Sequence, residues 1–551
     1  MQKMKWFVLF SSMLALSAAY AEIPVLMSAP SSPIAQVFPS GSSTVYTYTI
    51  TNNVPNETIP IRVNGIVAPT TRVTVANDCG NNLTPGVSTC QIGIQVAPTS
   101  QNLGQRINQT LSVDYQGRLP LTSSIAYRVP GLALLTAVGQ VTGTSAPLLS
   151  ASLDGGNTWA VETIANSPST GIFNSSSCVG GGSDGICILV GASGTSSTVP
   201  LIALSTNGGS SWAVQALSGL PAEGVFNASA CTGEGTTAVC VAAGQDLTGS
   251  SPPLLYVSQN GGNAWSKVSV VGAPTAGALN AATCTGTGAT AVCMVAGIDN
   301  TSGAPFLAVS TDGGSTWAVK SISGLPSTGS FDTASCTGSG ATALCVAAGQ
   351  DTTGLNPPLL VESVDGGNTW SIPTISGLPF SGVYHGASCV GTGVTAICAI
   401  AGSNEDTFVA LLVVSTNGGT TWAVKSITGS TSNDDLNAVS CTGTDASAIC
   451  TAVGGDNEAP SSSVPLVITS TNGGATWAVV SSAGFPTHGT FLTTSCTGAS
   501  ATAVCSAAGA NFASGSVPLL SVSTNGTSTW SSPVVTNAPV NGFYDGSAAT
   551  E

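Results

Sequence analysis

The residues best suited to acid–base chemistry are seven acidic side chains that recur at one place in a repeated unit. Two carboxylates flanking a glycosidic bond hydrolyse it, one as acid and the other as base or nucleophile. These acids follow the second predicted strand of successive units, so they are expected to spread around a ring instead of meeting on one sugar. We therefore favour solvated loop acids over a catalytic pair. The seven are Asp246, Asp299, Asp351, Glu405, Asp406, Asp456 and Glu458.

A second polar set stands four positions before the first cysteine of each unit. This position falls on the first, innermost predicted strand, so its side chains are expected to ring one mouth of a central channel. Such a ring can bind a small polar ligand or a cation, with Asp332 and His385 as its most distinctive members. The competing interpretation, which we favour, is that Asn stabilises the entry turn by bonding its own backbone. The predicted ligand-binding residues are Asn174, Asn227, Asn280, Asp332, His385, Asn437 and Tyr544, with Leu492 interrupting the series.

Other catalytic arrangements find little support. His385 and His488 are the only histidines, and no G-x-S-x-G sequence surrounds a strand-to-helix turn. The residue types and spacings therefore predict no catalytic residue, no cofactor and no metal ligand. The formal net charge of −15 also argues against a nucleic-acid or anionic-membrane partner, since such binding needs clustered cations.

The cysteines form regular pairs. Seven pairs have a spacing of nine, and an even count at fixed spacing in an exported protein predicts disulfides. Zinc favours shorter spacings and histidine ligands, neither of which recurs here. The predicted bonds are Cys79–Cys90, Cys178–Cys187, Cys231–Cys240, Cys284–Cys293, Cys336–Cys345, Cys389–Cys398, Cys441–Cys450 and Cys496–Cys505.

Tryptophans reveal the unit that must position these residues. Eight of them recur every 52 to 55 residues, in step with the cysteines, and a period near 50 is typical of propellers and solenoids. Four short strands are predicted per unit: 226–231, 237–243, 254–258 and 264–268 in one example. The eight are Trp159, Trp212, Trp265, Trp317, Trp370, Trp422, Trp477 and Trp530.

The turn before each tryptophan carries a family resemblance. Residues 152–159 read S-L-D-G-G-N-T-W and fit S-x-D-x-G-x-T-W, as do residues 310–317 and 363–370. The pattern resembles the Asp-box, or BNR, repeat of sialidase-type β-propellers, which implies a structural hairpin remote from any catalytic end. Asn replaces Asp in five copies, which leaves too few carboxylates for a calcium loop. The replacements are Asn207, Asn260, Asn417, Asn472 and Asn525.

Arginine content bears on the activity that this resemblance implies. Sialidases hold the substrate carboxylate with arginines, because the guanidinium group binds a carboxylate with two parallel hydrogen bonds. All five arginines precede residue 131, and the repeat region has only Lys267, Lys320 and Lys425 as cations. Sialidase activity is therefore not expected. The five are Arg62, Arg72, Arg106, Arg118 and Arg128.

Two incomplete units at the ends of the repeat region set the blade number. Residues 131–159 match only the later strands of a unit, and residues 543–548 match only its first strand, with Ala548 in place of the first cysteine. Pairing these fragments closes a propeller and removes an exposed edge. The sequence predicts an all-β protein with an eight-bladed propeller over 131–551, or seven blades if the first fragment lies outside the ring.

The first 130 residues are of a different kind. Residues 1–21 combine Lys3 and Lys5 with a short apolar run and small residues before Glu22, the pattern of a cleaved signal peptide. Residues 22–130 contain alternating runs such as 44–50 and 90–96, which predict an Ig-like β-sandwich. Residues 79–98 resemble bacterial Ig-like modules. The mature protein is predicted to be periplasmic or secreted and a monomer.

Function is less well determined than fold. We favour an exported, non-enzymatic binding, adhesion or scaffold protein that presents propeller loops to a protein or glycan partner. The alternative is a glycoside hydrolase of the Asp-box class that uses two loop carboxylates. Fold alone does not decide between them, because propellers carry many unrelated functions.

Overall fold

The computed structural model describes residues 25–28, 44–54, 56–64, 74–77, 79, 82–85, 88–96, 106–115, 120–128, 133–195, 198–456, 463–480, 484–512 and 516–550. The chain divides into two compact units, Met1–Val129 and Pro130–Glu551. The predicted signal segment, residues 1–21, lies outside the described residues, as does Glu458. In the described part of the chain no helix is long and apolar enough to cross a membrane.

The first unit contains two four-stranded sheets. One has the order β1–β2–β6–β4 and the other β5–β3–β7–β8. The strands are β1 (Val25–Met27), β2 (Thr44–Asn52), β3 (Ile59–Asn64), β4 (Thr74–Asn77), β5 (Asn82–Leu83), β6 (Ser88–Val96), β7 (Arg106–Tyr115) and β8 (Leu121–Arg128). Alternate residues such as Tyr46, Tyr48 and Ile50 from one sheet and Leu111 and Val113 from the other form one buried core. Period-2 alternation therefore buries one face of each sheet, as predicted.

The described residues of the second unit form eight sheets, which we number by position. Sheet 1 holds β9 (Leu135–Val141), β10 (Ala146–Ser152), β11 (Trp159–Val161), β42 (Val535–Thr536) and β43 (Phe543–Ala549). Sheet 2 holds β12 (Ile164–Ala165), β13 (Gly171–Val179), β14 (Ile186–Ser193), β15 (Val199–Ser205) and β16 (Trp212–Val214). Sheet 3 holds β17 (Gly224–Thr232), β18 (Val239–Asp246), β19 (Pro253–Ser258) and β20 (Ser266–Lys267). Sheet 4 holds β21 (Val270–Val271), β22 (Gly277–Thr285), β23 (Val292–Asp299), β24 (Pro305–Ser310) and β25 (Trp317–Val319).

The remaining sheets repeat this pattern. Sheet 5 holds β26 (Gly329–Thr337), β27 (Leu344–Asp351) and β28 (Pro358–Ser363). Sheet 6 holds β29 (Ile375–Ser376), β30 (Gly382–Val390), β31 (Ile397–Asn404), β32 (Val409–Ser415) and β33 (Trp422–Val424). Sheet 7 holds β34 (Ile427–Thr428), β35 (Asp434–Thr442), β36 (Ile449–Asp456), β37 (Val464–Ser470) and β38 (Trp477–Val479). Sheet 8 holds β39 (Thr490–Thr497), β40 (Val504–Asn511) and β41 (Val517–Ser523).

One edge strand of each sheet contacts its counterparts in the two neighbouring sheets. These inner strands are β43, β13, β17, β22, β26, β30, β35 and β39, and their contacts form a closed cycle that returns from β39 to β43. Closure depends on the C-terminal strand, because β43 pairs with β9 of the first fragment and completes sheet 1. The second unit is therefore a β-propeller, and the predicted all-β class is confirmed.

In the second unit, each disulfide joins an inner strand to the strand that follows it in the chain. Cys336 on β26 lies directly opposite Cys345 on β27, with the Cα atoms 4.1 Å apart. All eight predicted disulfides are present. A 3₁₀ turn precedes the second of these strands, so that strand starts at Val239 in sheet 3 and not at residue 237 as predicted. The turns are Gly182–Asp184, Gly235–Thr237, Gly288–Thr290, Gly340–Thr342, Gly393–Thr395, Asp445–Ser447 and Ser500–Thr502.

A two-residue strand joins neighbouring sheets at the outer edge. Ile164–Ala165 follows the Trp159 strand but pairs in parallel with Trp212 and Ala213 of the next sheet. The same pairing closes the ring, where Val535 lies beside Trp159. Sequence patterns did not predict this strand, because two residues are too few to show a period.

The turn before each tryptophan is a dense hydrogen-bonded hairpin. In residues 310–317, the Ser310 hydroxyl donates to Asp312 at 2.7 Å and accepts from the Gly314 amide at 2.9 Å. The Asp312 carboxylate also accepts from the Thr316 amide at 2.9 Å and hydroxyl at 2.6 Å. These hydrogen bonds outweigh the effect of partial burial and lower the pKa of the Asp312 carboxyl. The donors to the Asp312 carboxylate all belong to its own turn, so this side chain has a structural role.

Candidate functional site

A β-bulge positions the predicted ring residues on the inner strands. The pairing of β17 with β18 shifts between Phe226 and Ala228, so Asn227 is the extra residue. The same shift occurs at each of the seven cysteine-bearing sheets. This register shift requires glycine on the strand that follows the inner strand, because a Cβ on Gly244 of β18 would overlap the carbonyl oxygen of Val225. The repeated bulge therefore directs one side chain per sheet out of the ladder.

The ring asparagines bond to the neighbouring sheet. Asn174 donates from Nδ2 to the carbonyl oxygen of Phe226 at 2.9 Å, and Asn437 donates in the same way to Phe491 at 2.8 Å. Asn227 bonds Leu279, and Asn280 bonds Phe331 more weakly, at 3.4 Å. The prediction that each Asn bonds its own backbone is therefore wrong, because the acceptor is a carbonyl oxygen of the neighbouring sheet. Asn links one inner strand to the next, and this bond occupies one of its side-chain amide hydrogens.

The eighth ring position belongs to Asp545 and not to Tyr544. The pairing places Ala549 opposite Leu135, so Ala549, one residue later than predicted, takes the place of the first cysteine. The bulge accordingly falls between Tyr544 and Gly546. Tyr544 is fully buried and its hydroxyl bonds Ser150 at 2.8 Å, a core position that Phe occupies in neighbouring sheets. Burial raises the pKa of Tyr544 to about 12.

Asp332 and His385 lie on adjacent inner strands and interact. Asp332 accepts from the Ser330 hydroxyl at 3.0 Å and from Asn280 at 3.4 Å. Burial raises the pKa of the Asp332 carboxyl, although the Ser330 bond, the attraction of His385 and the Asn280 bond oppose the shift. His385 is exposed on the same bulge of the next sheet. The pair thus presents an acid and a base at neighbouring steps of the ring.

Asp545 is the ring residue with the most unsatisfied side chain. Burial raises its pKa to about 6, and no hydrogen bond or ion pair reaches its carboxylate from the described residues. On the ring it lies four sheets from Asp332 in either direction. A carboxylate cannot donate to the next carbonyl as Asn does, so Asp545 keeps its acceptors available. The repeat pattern does not identify Asp545, because residues 543–548 lack the cysteine that sets the register.

The loop acids serve their own turns. Asp246 accepts from the Thr248 amide at 2.9 Å and pairs with Lys267 at 3.6 Å. Asp299 accepts from the Thr301 amide at 2.8 Å and the Ser302 hydroxyl at 2.7 Å. Desolvation raises the pKa of Asp299, but these hydrogen bonds outweigh it and leave the pKa below its usual value. A general acid needs a raised pKa, so this environment favours the structural interpretation of these acids.

Three further loop acids also accept hydrogen bonds, Asp351 from its own turn and Glu405 and Asp406 from the adjoining loop. Asp351 accepts from the Thr353 amide at 2.7 Å, and Asp406 accepts from the amides of Phe380 and Ser381 at 2.8 and 3.0 Å. Glu405 accepts from the Ser381 hydroxyl at 2.9 Å. Asp456 is the last residue of β36. No group of three or more His, Cys, Asp or Glu side chains in the described ranges is placed to hold a metal ion.

An apolar patch lies on these loops in sheets 5 and 6. Leu355, Phe380 and Phe408 are 69%, 78% and 68% exposed. The loops are tied together, because Phe380 bonds Asp406 and the Gly382 amide donates to the Asn356 carbonyl at 3.0 Å. β30, which carries His385, begins at Gly382. The patch therefore adjoins the Asp332 and His385 part of the ring, and exposed aromatic side chains are typical of binding surfaces.

Comparisons with known proteins return only distant structural likenesses. No family model and no curated protein matches the chain. YCF48, solved with a D1 peptide, is 14% identical over 55% of this chain and 81% of its own, with a TM-score of 0.33. A Hadza microbial sialidase is 13% identical over 78% and 96%, with a TM-score of 0.34. The fungal lectin of Aleuria aurantia, a six-bladed propeller that recognises fucose, is 13% identical over 57% and 95%, with a TM-score of 0.31. These likenesses are too distant to transfer a ligand or an activity.

Proposed function

We propose that the protein is an exported, non-enzymatic binding protein that takes a glycan or protein partner on the loop end of its inner strands. The observation that carries this proposal is the contrast within the ring. Four Asn side chains are engaged by the next sheet, while Asp545 has no partner among the described residues and His385 is exposed. Acceptors of this kind bind hydroxyl or ammonium groups. Phe380 and Phe408 supply apolar contact area on the side of the ring that carries His385.

A glycoside hydrolase that uses two loop carboxylates is the second candidate. It is disfavoured because Asp246, Asp299, Asp351 and Asp406 are held by donors of their own or adjoining loops. Asp332 and Asp545, which have raised pKa values, lie on opposite sides of the eight-step ring. Hydrolysis needs two carboxyl groups about 5–10 Å apart across one bond.

The finer architecture is part of the same proposal. We assign the eight sheets as eight blades, the tryptophan turns as Asp-boxes, residues 22–130 as an Ig-like module, and residues 1–21 as a cleaved signal peptide. Eight disulfides support a compartment outside the cytoplasm, where such bonds persist. The closed cycle of inner strands supports the blade number. We further propose a monomer without a nucleic-acid partner, in line with the net charge of −15.

A glycan and peptide array, combined with a broad glycosidase screen, tests the function. We expect binding without turnover, and we expect the double variant Asp332→Asn/His385→Ala to weaken binding at least tenfold. The matched control is Asp351→Asn, which alters a loop acid that serves its own turn and is expected to bind as the wild type does. Turnover of any bound glycan, or equal binding by the double variant, would overturn the proposal.

A further inference from the structure

One residue breaks the repeat at the end of the sheets where the tryptophan turns lie. The position just before the serine of each turn is apolar in six sheets and Thr469 in one, but it is Glu362 in sheet 5. The apolar residues are Ala151, Leu204, Val257, Val309, Val414 and Val522. At the equivalent place in sheet 4, Val309 packs against Gly367 of the next sheet, 2.8 Å from where a Cβ would lie. Glu362 therefore puts a carboxylate where the fold normally places a methyl group.

The carboxylate changes the hydrogen bonding of the next sheet. Trp370 donates from its indole nitrogen to the carbonyl oxygen of Gly367 at 3.1 Å, and Trp159, Trp317 and Trp477 bond in the same way. Trp422 instead donates to Oε2 of Glu362 at 2.9 Å. That bond, together with the backbone bonds between Glu362 and Ser371, fixes the position of the carboxylate. The side chain is thus held in place and not free to turn into solvent.

Glu362 faces a cavity between sheets 5 and 6. The cavity has a volume of about 420 Å³, and Leu344, Val364 and Val394 provide its apolar surface. Val364 and Val394 are 57% and 79% exposed, so a ligand can enter from solvent. This volume lies within the range of roughly 300–1,000 Å³ that is common for ligand pockets.

The charge in this cavity lacks a counter-ion. Within the described ranges the only ion pair is Lys267 with Asp246, and the Trp422 bond is the only side-chain hydrogen bond to Glu362. Burial raises the pKa of Glu362, although the Trp422 bond opposes the shift. Partial burial raises the free energy of an ionised carboxylate, and a bound cation offsets this cost. An apolar cavity wall favours a cation that carries an alkyl chain.

We propose that this cavity binds a primary alkylammonium group, with the ammonium on Glu362 and its alkyl stem along Leu344, Val364 and Val394. A lysine side chain of a partner protein and a free alkylamine share this chemistry. An ammonium group donates three hydrogen bonds and matches Oε1, the carboxylate oxygen that Trp422 leaves unused. The site is independent of the ring, because it lies beside the 3₁₀ and tryptophan turns and not beside the loops.

Calorimetric titration of the whole protein with n-hexylamine and with Nα-acetyl-lysine methylamide tests the site. We expect both amines to bind at pH 7.5, and n-hexanol, which has the stem without the charge, to bind at least tenfold more weakly. Stronger binding of the lysine derivative would indicate that the natural ligand is a lysine side chain of a partner protein. Stronger binding of hexylamine would indicate that it is a free alkylamine. Equal binding of hexanol and hexylamine would overturn the proposal.

Two variants locate the binding. Glu362→Gln keeps an acceptor for Trp422 but removes the charge, so it is expected to weaken amine binding at least tenfold. Glu362→Val restores the residue type of sheet 4 and is expected to fold and to lose binding. Asp365→Asn is the control, because it makes the same change in net charge in the same sheet but outside the cavity. Wild-type affinity in both Glu362 variants would contradict the site.

Discussion

Asn174 and Asp545 occupy equivalent bulge positions on neighbouring inner strands, yet only Asn174 can donate a hydrogen bond at neutral pH. The asparagine bonds Phe226 of the next sheet. By the same pattern, Asp545 faces the carbonyl oxygen of Phe173, to which a carboxylate cannot donate. A protonated Asp545 resembles asparagine in this respect, which agrees with its raised pKa.

The first prediction concerns the variant Asp545→Asn. The folded-state pKa of about 6 lies above the ordinary value of 3.8, so ionisation disfavours the folded state as pH rises from 3.8 to 6. The cost above pH 6 is about 3 kcal/mol, at roughly 1.4 kcal/mol for each pKa unit. We expect the variant to unfold at a higher temperature than the wild type at pH 8 and at a similar temperature at pH 3.5. Calorimetry at pH 3.5 and pH 8 measures the difference in unfolding temperature between the variant and the wild type. An equal difference at the two pH values would contradict the prediction.

The cysteine spacing predicts the positions of most ring residues but not of all of them. The cysteines set the register of seven inner strands, so the repeat predicts equivalent positions for Asn174 and Asp332, although it does not predict the bulge that carries them. The eighth strand has no cysteine, and the register slipped by one residue onto Tyr544. Glu362 is visible in the sequence as a break in the repeat, but its importance depends on contact with Trp422 of the next sheet, which only the folded chain shows.

At the scale of the element, each propeller disulfide closes a loop of about ten residues between an inner strand and the strand that follows it. Removing Cys336–Cys345 in a double serine variant is expected to lower the free energy of unfolding of the propeller by about 2–3 kcal/mol, since the unfolded chain gains freedom. Calorimetry of the oxidised protein checks this. The Cys79/Cys90 double variant is the control, because those residues belong to the core of the first unit. An unchanged propeller transition in the Cys336/Cys345 variant would count against the prediction.

The tryptophan turn gives a second test at this scale. Asp312→Ala removes the acceptor of the Thr316 amide and hydroxyl, and is expected to cost about 1 kcal/mol, the size of a lost side-chain cap. Asp312→Asn is expected to cost less, because Asn417 makes the same bond to the Thr421 amide at 2.9 Å. Thermal unfolding midpoints of the two variants compare these costs. A larger loss for Asn than for Ala would be inconsistent with a turn held by its acceptor oxygen.

At the scale of the whole molecule, ring closure depends on β43. β43 pairs with β9 and contacts β13 and β39, and it carries the buried Tyr544. Deleting residues 543–551 is expected to abolish the cooperative thermal transition of the propeller and to cause association through the exposed edge of β9. Deleting Glu551 alone is the control. A deletion variant that stays monomeric with the wild-type transition would show that closure is dispensable.

The repeat predicted this architecture because each unit carries its own cysteines, turn and tryptophan. The two-residue outer strands were not predictable, since their partners lie in the next sheet. The apolar patch of Leu355, Phe380 and Phe408 was missed for a related reason. These residues come from separate loops, and only the folded chain brings the loops together.

The most direct test of the proposed function is a crystal structure of the protein with its tightest partner from the array. We expect an intact ligand on the loop end of the inner strands, in contact either with Asp332, His385 and the adjoining Phe380 and Phe408 or with Asp545 on the opposite side of the ring. A ligand bound elsewhere on the propeller, or a glycan found cleaved between two carboxylates, would contradict a non-enzymatic binding site at this end.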